Sequence, residues 1–245
     1  MPSKLLAEKV AIVTGASQGI GKAIALGYAA AGASVCCAAR SAEALDEVVS
    51  SIEQAGGSAL AVVTDVSDET SVSRLIETTI EHFGGLDILV VNAGVSPERA
   101  SLEHTNSDAW QQTLNVNLMG AYYCIKYAIP HLKEREAGKI ITIGSGLGHH
   151  GRGQDSAYAC SKAALWMLTR VVAQELASTS VCVNELIPGP VDTGMSTEAF
   201  RKQIVDVYHE WFKQPEDVVD LAIFLASQPA GGPSAQSFSL MRRAF

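Results

Sequence analysis

The chain has 245 residues, 47% of them hydrophobic and 18% charged, which suits a folded protein with a substantial core and excludes a disordered one. A formal net charge of −8 is the wrong sign for a general nucleic-acid binder, so no nucleic-acid partner is expected. Five cysteines, with no Cys-x-x-Cys pair, suggest neither a disulfide framework nor a zinc site, and no metal is expected.

Residues 1–9 carry no apolar stretch of signal-peptide length, and no later run approaches a membrane span. A cytoplasmic protein with no membrane partner is the expectation. The first apolar strand, 10–14, runs into a glycine-rich turn and then a helix at 20–31. Gly15, Gly19 and Gly21 let the backbone turn tightly and approach a pyrophosphate, while the helix start offers unpaired N–H groups and partial positive charge. Gly15, Ser17, Gln18, Gly19, Ile20 and Gly21 are the candidate phosphate contacts. The second strand, 34–39, ends at Arg40 and Ser41, with no carboxylate before Glu43. An acid there would hold the ribose 2′-hydroxyl of NAD, whereas the planar fork of Arg40 suits a 2′-phosphate. NADP(H) is therefore preferred, with NAD(H) possible as the alternative.

A helix at 42–55, a strand at 59–64, a helix at 71–83 and a strand at 87–91 continue the alternation. A long helical segment at 108–133 precedes the strand 139–144. The next helix, 158–177, places Tyr158 and Lys162 at i and i+4, on one face. A cation beside a phenol favours the phenolate, which makes Tyr158 a proton donor and acceptor near neutral pH. Such pairs are common on solvated helix faces, so the spacing needs support from the rest of the chain. Strand 181–187 follows, then a stretch at 190–214 that breaks the rhythm with Met195, Phe200, Tyr208, Trp211 and Phe212 among charged residues. It reads as a lid or substrate segment, or equally as a surface helix pair packing its aromatics inward. A helix at 215–226 and a weak strand at 236–240 close the chain. Most strands are apolar on both faces, as in parallel sheets covered by helices. With no linker in sight, the expectation is α/β: one doubly wound Rossmann-type domain over residues 1–245, a seven-stranded, mainly parallel sheet with helices on both faces.

Taken together, the glycine loop Gly15-x-x-x-Gly19-x-Gly21, Asp65-Val66, Asn92-Ala93-Gly94, Asn117, Ser145, Tyr158-x-x-x-Lys162 and Pro188-Gly189 with Thr193 resemble the short-chain dehydrogenase/reductase family. The 3-oxoacyl-[acyl-carrier-protein] reductase type and related small carbonyl reductases are the members most similar. The resemblance implies an oxidoreductase that moves hydride between nicotinamide C4 and a carbonyl or secondary alcohol. Tyr158 would be its general acid/base, Ser145 would hold the substrate oxygen, Lys162 would bind the nicotinamide ribose and stabilise the phenolate, and Asn117 would anchor a water relay. It further implies adenine contacts from Asp65 and Val66 and ribose contacts from Asn92, Ala93 and Gly94. Pro188, Gly189, Val191 and Thr193 would wrap the nicotinamide amide. The implied substrate is a small-molecule or acyl-thioester carbonyl, and the implied assembly a homotetramer or homodimer through the helices after strands four and five. Three departures stand out: Val91 where relatives often have asparagine, a C-terminus without their usual Thr-Gly…Val-Asp-Gly-Gly ending, and a segment at 190–214 shorter than in fatty-acid-synthesis reductases. A dehydrogenase of a small sugar, polyol or secondary-metabolite ketone is the alternative within enzymes. A non-catalytic nucleotide-sensing protein is the alternative outside them, and it would be expected to lack Tyr158 or Lys162. His149 and His150 either line the substrate pocket or sit on an exposed loop.

Overall fold

In the computed structural model, which describes residues 4–194, 198–202 and 210–242, seven strands share one sheet. They are β1 (Val10–Thr14), β2 (Ser34–Ala39), β3 (Ser58–Val63), β4 (Ile88–Val91), β5 (Lys139–Ile143), β6 (Cys182–Ile187) and β7 (Ser237–Ser239). The order is β3-β2-β1-β4-β5-β6-β7 and every pairing is parallel, giving the doubly wound sheet that the uninterrupted apolar runs predict. The order reverses between β1 and β4, and ligands of such sheets bind in the crevice at the carboxyl ends of the strands there.

The helices are α1 (Gly19–Ala30), α2 (Ala42–Gln54), α3 (Glu69–Phe83), α4 (Ser107–Leu114), α5 (Gly120–Lys133), α6 (Leu147–His150), α7 (Ser156–Glu175), α8 (Glu198–Lys202) and α9 (Val219–Ala226). Alternate strand residues feed two cores. Ala11, Val13, Val35, Cys37, Ile88 and Val90 pack beneath α1, α2 and α9, where Tyr28 is wholly buried and donates to the carbonyl of Ala222 at 2.9 Å. Ile12, Cys36, Ala38, Leu89 and Val91 face α3, α5 and α7, through Leu75, Ile125 and Leu165 among others. The five cysteines are unbonded to one another, and burial pushes the Cys36 thiol up to about 12.

Most element boundaries lie within one or two residues of the expectation, and three differences have a clear physical cause. The third helix begins at Glu69, because the Asp68 carboxylate accepts from the Thr70 N–H and caps it. The segment 108–133 is not one regular helix: a π-turn at Asn115–Met119 joins α4 to α5. The helix expected at 215–226 opens with a 3-10 turn, Pro215–Val218, capped reciprocally by Gln214 and Asp217. Within the expected lid, Met195, Tyr208 and the Phe200 side chain lie outside the described residues. Its two ends are tied together: the Lys213 N–H donates to Pro190 and the Asp192 N–H to Lys213, while Arg201 pairs with Asp192.

Candidate active site

The phosphate end of the crevice is built from β1, its turn and α1. Gly15 and Gly19 take φ of +66° and +54°, in the left-handed region that favours glycine. A Cβ on Gly21 would sit 2.2 Å from the Gly15 carbonyl, so only glycine fits that contact of helix on turn. Thr14 and Asn92 brace the turn from the side. The Thr14 hydroxyl accepts from the N–H groups of Asn92 and Ala93 at 3.0 and 3.1 Å. The Asn92 amide donates to the Thr14 carbonyl at 2.8 Å. The amide nitrogen of Asn92 thereby helps hold the turn after β1 to the end of β4. No side chain caps α1: Gln18 makes no capping hydrogen bond and the first turn holds no acid. Its leading N–H groups are therefore available to an anion. Thr193 lies over the turn, its methyl 3.2 Å from a Cβ placed on Gly19.

Next to it, Arg40, Asp65, Ser67, Asp108, Gln111, Gln112, Asn115 and Val116 line a cavity of about 230 Å³. Ser67 donates its N–H and hydroxyl to the Asp65 carboxylate at 2.9 and 2.6 Å. Those bonds, with the positive charge of Arg40 near by, hold the carboxyl below its usual range. Asp65 thus shapes the turn before α3, but the cap itself is Asp68. Asp108, Gln111 and Gln112 of α4 and Asn115 just after it border this cavity, a contribution the sequence does not signal, whereas Asn117 is buried. The uncapped helix start, the glycine cradle and this polar cavity, with Arg40 as its one basic side chain against Asp65 and Asp108, could hold a dinucleotide. Gly15, Gly19 and Gly21 would receive its pyrophosphate, and Arg40 and Asp65 its adenosine end.

The chemical end lies along β5, β6 and α7. Ser145 follows β5, and its Oγ accepts from the Leu147 N–H at 3.2 Å, which leaves its own proton to donate elsewhere. Tyr158 stands in the first turn of α7, close enough for the Ser145 hydroxyl to hydrogen-bond the phenol oxygen. Burial pushes the phenol above its ordinary value; the Ser145 bond and Arg152 oppose this, and Asp155 adds to it. Lys162 is buried, its Nζ 5.9 Å from the Tyr158 ring centroid and donating to the Ile143 carbonyl at 2.7 Å. Desolvation draws its pKa down to about 8, against an upward pull from Glu185. The i, i+4 spacing does bring phenol and ammonium together. The expected lowering of the phenol is overridden by burial.

Asn117 sits in the π-turn, a backbone device that often marks functional sites. Its amide donates to the Val95 carbonyl and the Ser161 hydroxyl at 2.9 and 3.0 Å and accepts from the Val95 N–H at 2.7 Å. It therefore reaches α7 at the residue before Lys162. Pro188 and Val191 are buried beyond β6. Gly189 takes φ +68° and faces Met241 and the fully buried Lys213. Met241 also closes on Gly146, so the atypical C-terminus covers the outer side of the site. It is held there by the buried Glu210, whose Oε1 accepts from the Arg242 N–H at 2.6 Å. His149 is neither a free loop residue nor clearly a pocket wall: its Nε2 lies 2.9 Å from the Glu185 carboxylate, and its ring leans on Trp166 at 4.7 Å. Glu185 carries one signal in the sequence, a charge inside the otherwise mostly apolar strand 181–187. Among the described residues, no cluster of His, Cys, Asp and Glu could hold a metal, and no helix is long and apolar enough to cross a membrane.

A glycine-turned phosphate site and a Ser–Tyr–Lys centre on a parallel sheet define a nucleotide-dependent oxidoreductase class. Residues 9–204 match the short chain dehydrogenase family, and the chain belongs to it. It is 38% identical over 227 residues to a 3-oxoacyl-[acyl-carrier-protein] reductase of Synechocystis sp., covering 92% of each chain. It is 37% identical to the cis-4-hydroxycyclohexanecarboxylate dehydrogenase of Sinomonas cyclohexanicum, covering 91% of each. Among solved structures, a short chain dehydrogenase of Burkholderia cenocepacia in complex with NADP superposes with a TM-score of 0.89 at 35% identity, over 96% of both chains. A dehydrogenase/reductase of Sinorhizobium meliloti gives 0.90 at 37%, over 97% of this chain and 95% of that one.

Proposed function

We propose that the protein is an NADP(H)-dependent reductase or dehydrogenase of a carbonyl/secondary-alcohol pair, acting as one catalytic domain over residues 1–245, with 190–214 as its substrate segment. The observation that carries this is the convergence of Ser145, Tyr158 and Lys162 beside an uncapped helix start. When bound, the nicotinamide cofactor supplies or accepts the hydride. The residues of the chain do the rest. Ser145 donates to the substrate oxygen and fixes it. The Tyr158 hydroxyl gives that oxygen its proton in reduction and takes it in oxidation, and the Lys162 ammonium lowers the cost of the phenolate. Asn117 ties α7 to the Val95 turn. On this reading Pro188, Gly189, Val191 and Thr193 would wrap the nicotinamide amide, Val66 would contact the adenine, and Ala93 and Gly94 the adenosine ribose.

Replacing Tyr158 by Phe should lower kcat by about 10²–10⁴-fold, the usual worth of positioned acid–base catalysis. Cofactor affinity, read by fluorescence titration, should be unchanged. A fully active variant sinks the mechanism. For the cofactor, Arg40 with no acid before Glu43 supports NADP(H). The check is kcat/KM with NADPH against NADH on one substrate, and an equal or better NADH value overturns the preference.

Relatives named for 3-oxoacyl-[acyl-carrier-protein] reduction support a 3-oxoacyl thioester as substrate. A small ring or polyol alcohol is the second reading, favoured by the closure of Met241 over Gly146 and Gly189. Turnover of acetoacetyl thioesters against small diketones, aldehydes, ketosugars and cyclic hydroxy acids decides between them. Tyr122, Met167 and Val171 are 40, 49 and 42% exposed on α5 and α7, which supports burial of these helices in a homodimer or homotetramer. Light scattering reads that mass directly. A cytoplasmic location accords with this chemistry.

A further inference from the structure

Behind the centre lies a group that the proposed reaction does not use. Glu185, in the middle of β6, is 1% exposed, and its Oε1 is the one buried side-chain polar atom among the described residues without a hydrogen-bond partner. Its Oε2 is doubly held, by His149 Nε2 at 2.9 Å and the Ser237 hydroxyl at 2.5 Å. A buried carboxylate with one satisfied and one orphan oxygen is costly unless a charge answers it. The orphan oxygen points at the end of β5, where it occupies the space a side chain on Gly144 would take, 1.9 Å from a Cβ built there. Lys162 reaches the same peptide, its Nζ 2.7 Å from the Ile143 carbonyl. Acid and ammonium thus both lie at the Ile143–Gly144 peptide, out of water, and the missing side chain of Gly144 leaves the acid its room there.

We propose, on the reading of the site given above, that Glu185 is the buried counter-charge of Lys162, a positioning residue that acts through that lysine and is itself held in place by His149 and Ser237. Lys162 must be an ammonium to favour the Tyr158 phenolate, yet burial works against its charge. The carboxylate supplies the opposing pull, and its electrostatic effect on Lys162 has that sign. The ionisable groups facing the pair are Tyr158 on α7 and His149 on α6, with the Ser237 hydroxyl on β7. Asp155 and Arg152 act on Tyr158 from the loop before α7.

The test reads Lys162 directly in the free protein, by NMR titration of lysines labelled with ¹³C at Cε and ¹⁵N at Nζ. The Lys162 signal is identified by its loss in Lys162→Arg. Glu185→Gln keeps shape and hydrogen-bonding capacity but removes the charge, and should lower the Lys162 midpoint by about one pH unit or more. Glu185→Asp should restore part of the shift. In turnover, the alkaline limb of kcat/KM should move to lower pH in step with that midpoint. A folded Glu185→Gln protein with an unmoved midpoint overturns the proposal. Should that variant not fold, His149→Gln, which leaves the carboxylate charge in place, must hold or raise the midpoint, and a fall overturns the proposal. Because the midpoint is read without substrate or cofactor, it is independent of the reaction assigned above. An active Tyr158→Phe enzyme would remove that reaction, and an unmoved midpoint removes only the counter-charge.

Discussion

Lys162 carries a stability cost that its position explains. Moving the ammonium out of water lowers its pKa from 10.5 to about 8, which corresponds to roughly 3 kcal/mol of destabilisation below pH 8, at about 1.4 kcal/mol for each pH unit. The sign follows from linkage: between pH 8 and 10.5 the unfolded chain still binds the proton that the folded one has released, so stability rises with pH across that window. Lys162→Met removes the charge at similar length but leaves the Ile143 carbonyl without its donor and the buried Glu185 carboxylate without its counter-charge, which together offset about 3 kcal/mol or more, the whole of the gain. The variant should therefore be inactive and no more stable than the parent at pH 7. It should lose further ground as pH climbs towards 10.5, as the parent lysine discharges. Calorimetry from pH 6 to 10.5 reads this, and a variant clearly more stable than the parent at pH 7 contradicts it. Stability here is given up for a charge that the reaction needs.

At the scale of elements, the π-turn Asn115–Met119 is where sequence and structure part. An apolar periodicity running through 108–133 predicts one helix, because a single-residue widening of the helical turn leaves hardly any trace in side-chain pattern. The widening brings Asn117 inward, to bridge the turn after β4 and α7. Asn117→Ala should strip both polar groups of Val95 of their partner and cost about 2–4 kcal/mol. The Val95 amide should then exchange with deuterium markedly faster, while amides of β1 stay protected; unchanged exchange at Val95 would show that the turn does not depend on this side chain. The parallel strands, by contrast, were legible because burial on both faces writes itself into consecutive apolar residues such as Val10–Thr14. The glycine loop was legible because steric need selects one residue type, and Tyr158 with Lys162 because helical spacing is local. Glu185 with His149, and Asn115 at the cavity, were not. Their meaning depends on partners on other elements, and sequence order does not record that proximity.

At the scale of the whole molecule, Asp87 is a buried electrostatic tie that acid can undo. Its carboxylate, 2% exposed, accepts from the Val10 N–H at 3.0 Å and from Arg135 at 3.0 and 3.1 Å, with Lys9 at 3.5 Å. Its backbone pairs with Val10 on one side and Lys139 on the other, so β1, β4, β5 and the end of α5 meet at this residue. Burial alone would raise the carboxyl, but Arg135, Val10 and Lys9 outweigh it and hold the pKa below its usual value. Asp65 and Glu69 are also lowered, by bonds from Ser67 and Lys126 respectively, but both lie nearer the surface, where water replaces those partners at little cost. For a depressed acid, the stabilisation is complete above the unfolded value of about 4 and is lost as pH falls through the folded one. Acid unfolding should therefore begin below pH 4 and start at this seam of the sheet. Asp87→Asn removes the charge and leaves Arg135 and Lys9 facing an amide, at a cost of about 3 kcal/mol. For a chain of this size that is about 10 °C in Tm at pH 7. The gap between variant and parent should narrow steadily below pH 4 as the parent carboxylate takes up its proton. A gap that stays constant from pH 7 to pH 2.5 would mean that Asp87 acts through shape alone, and that another group governs the response to acid.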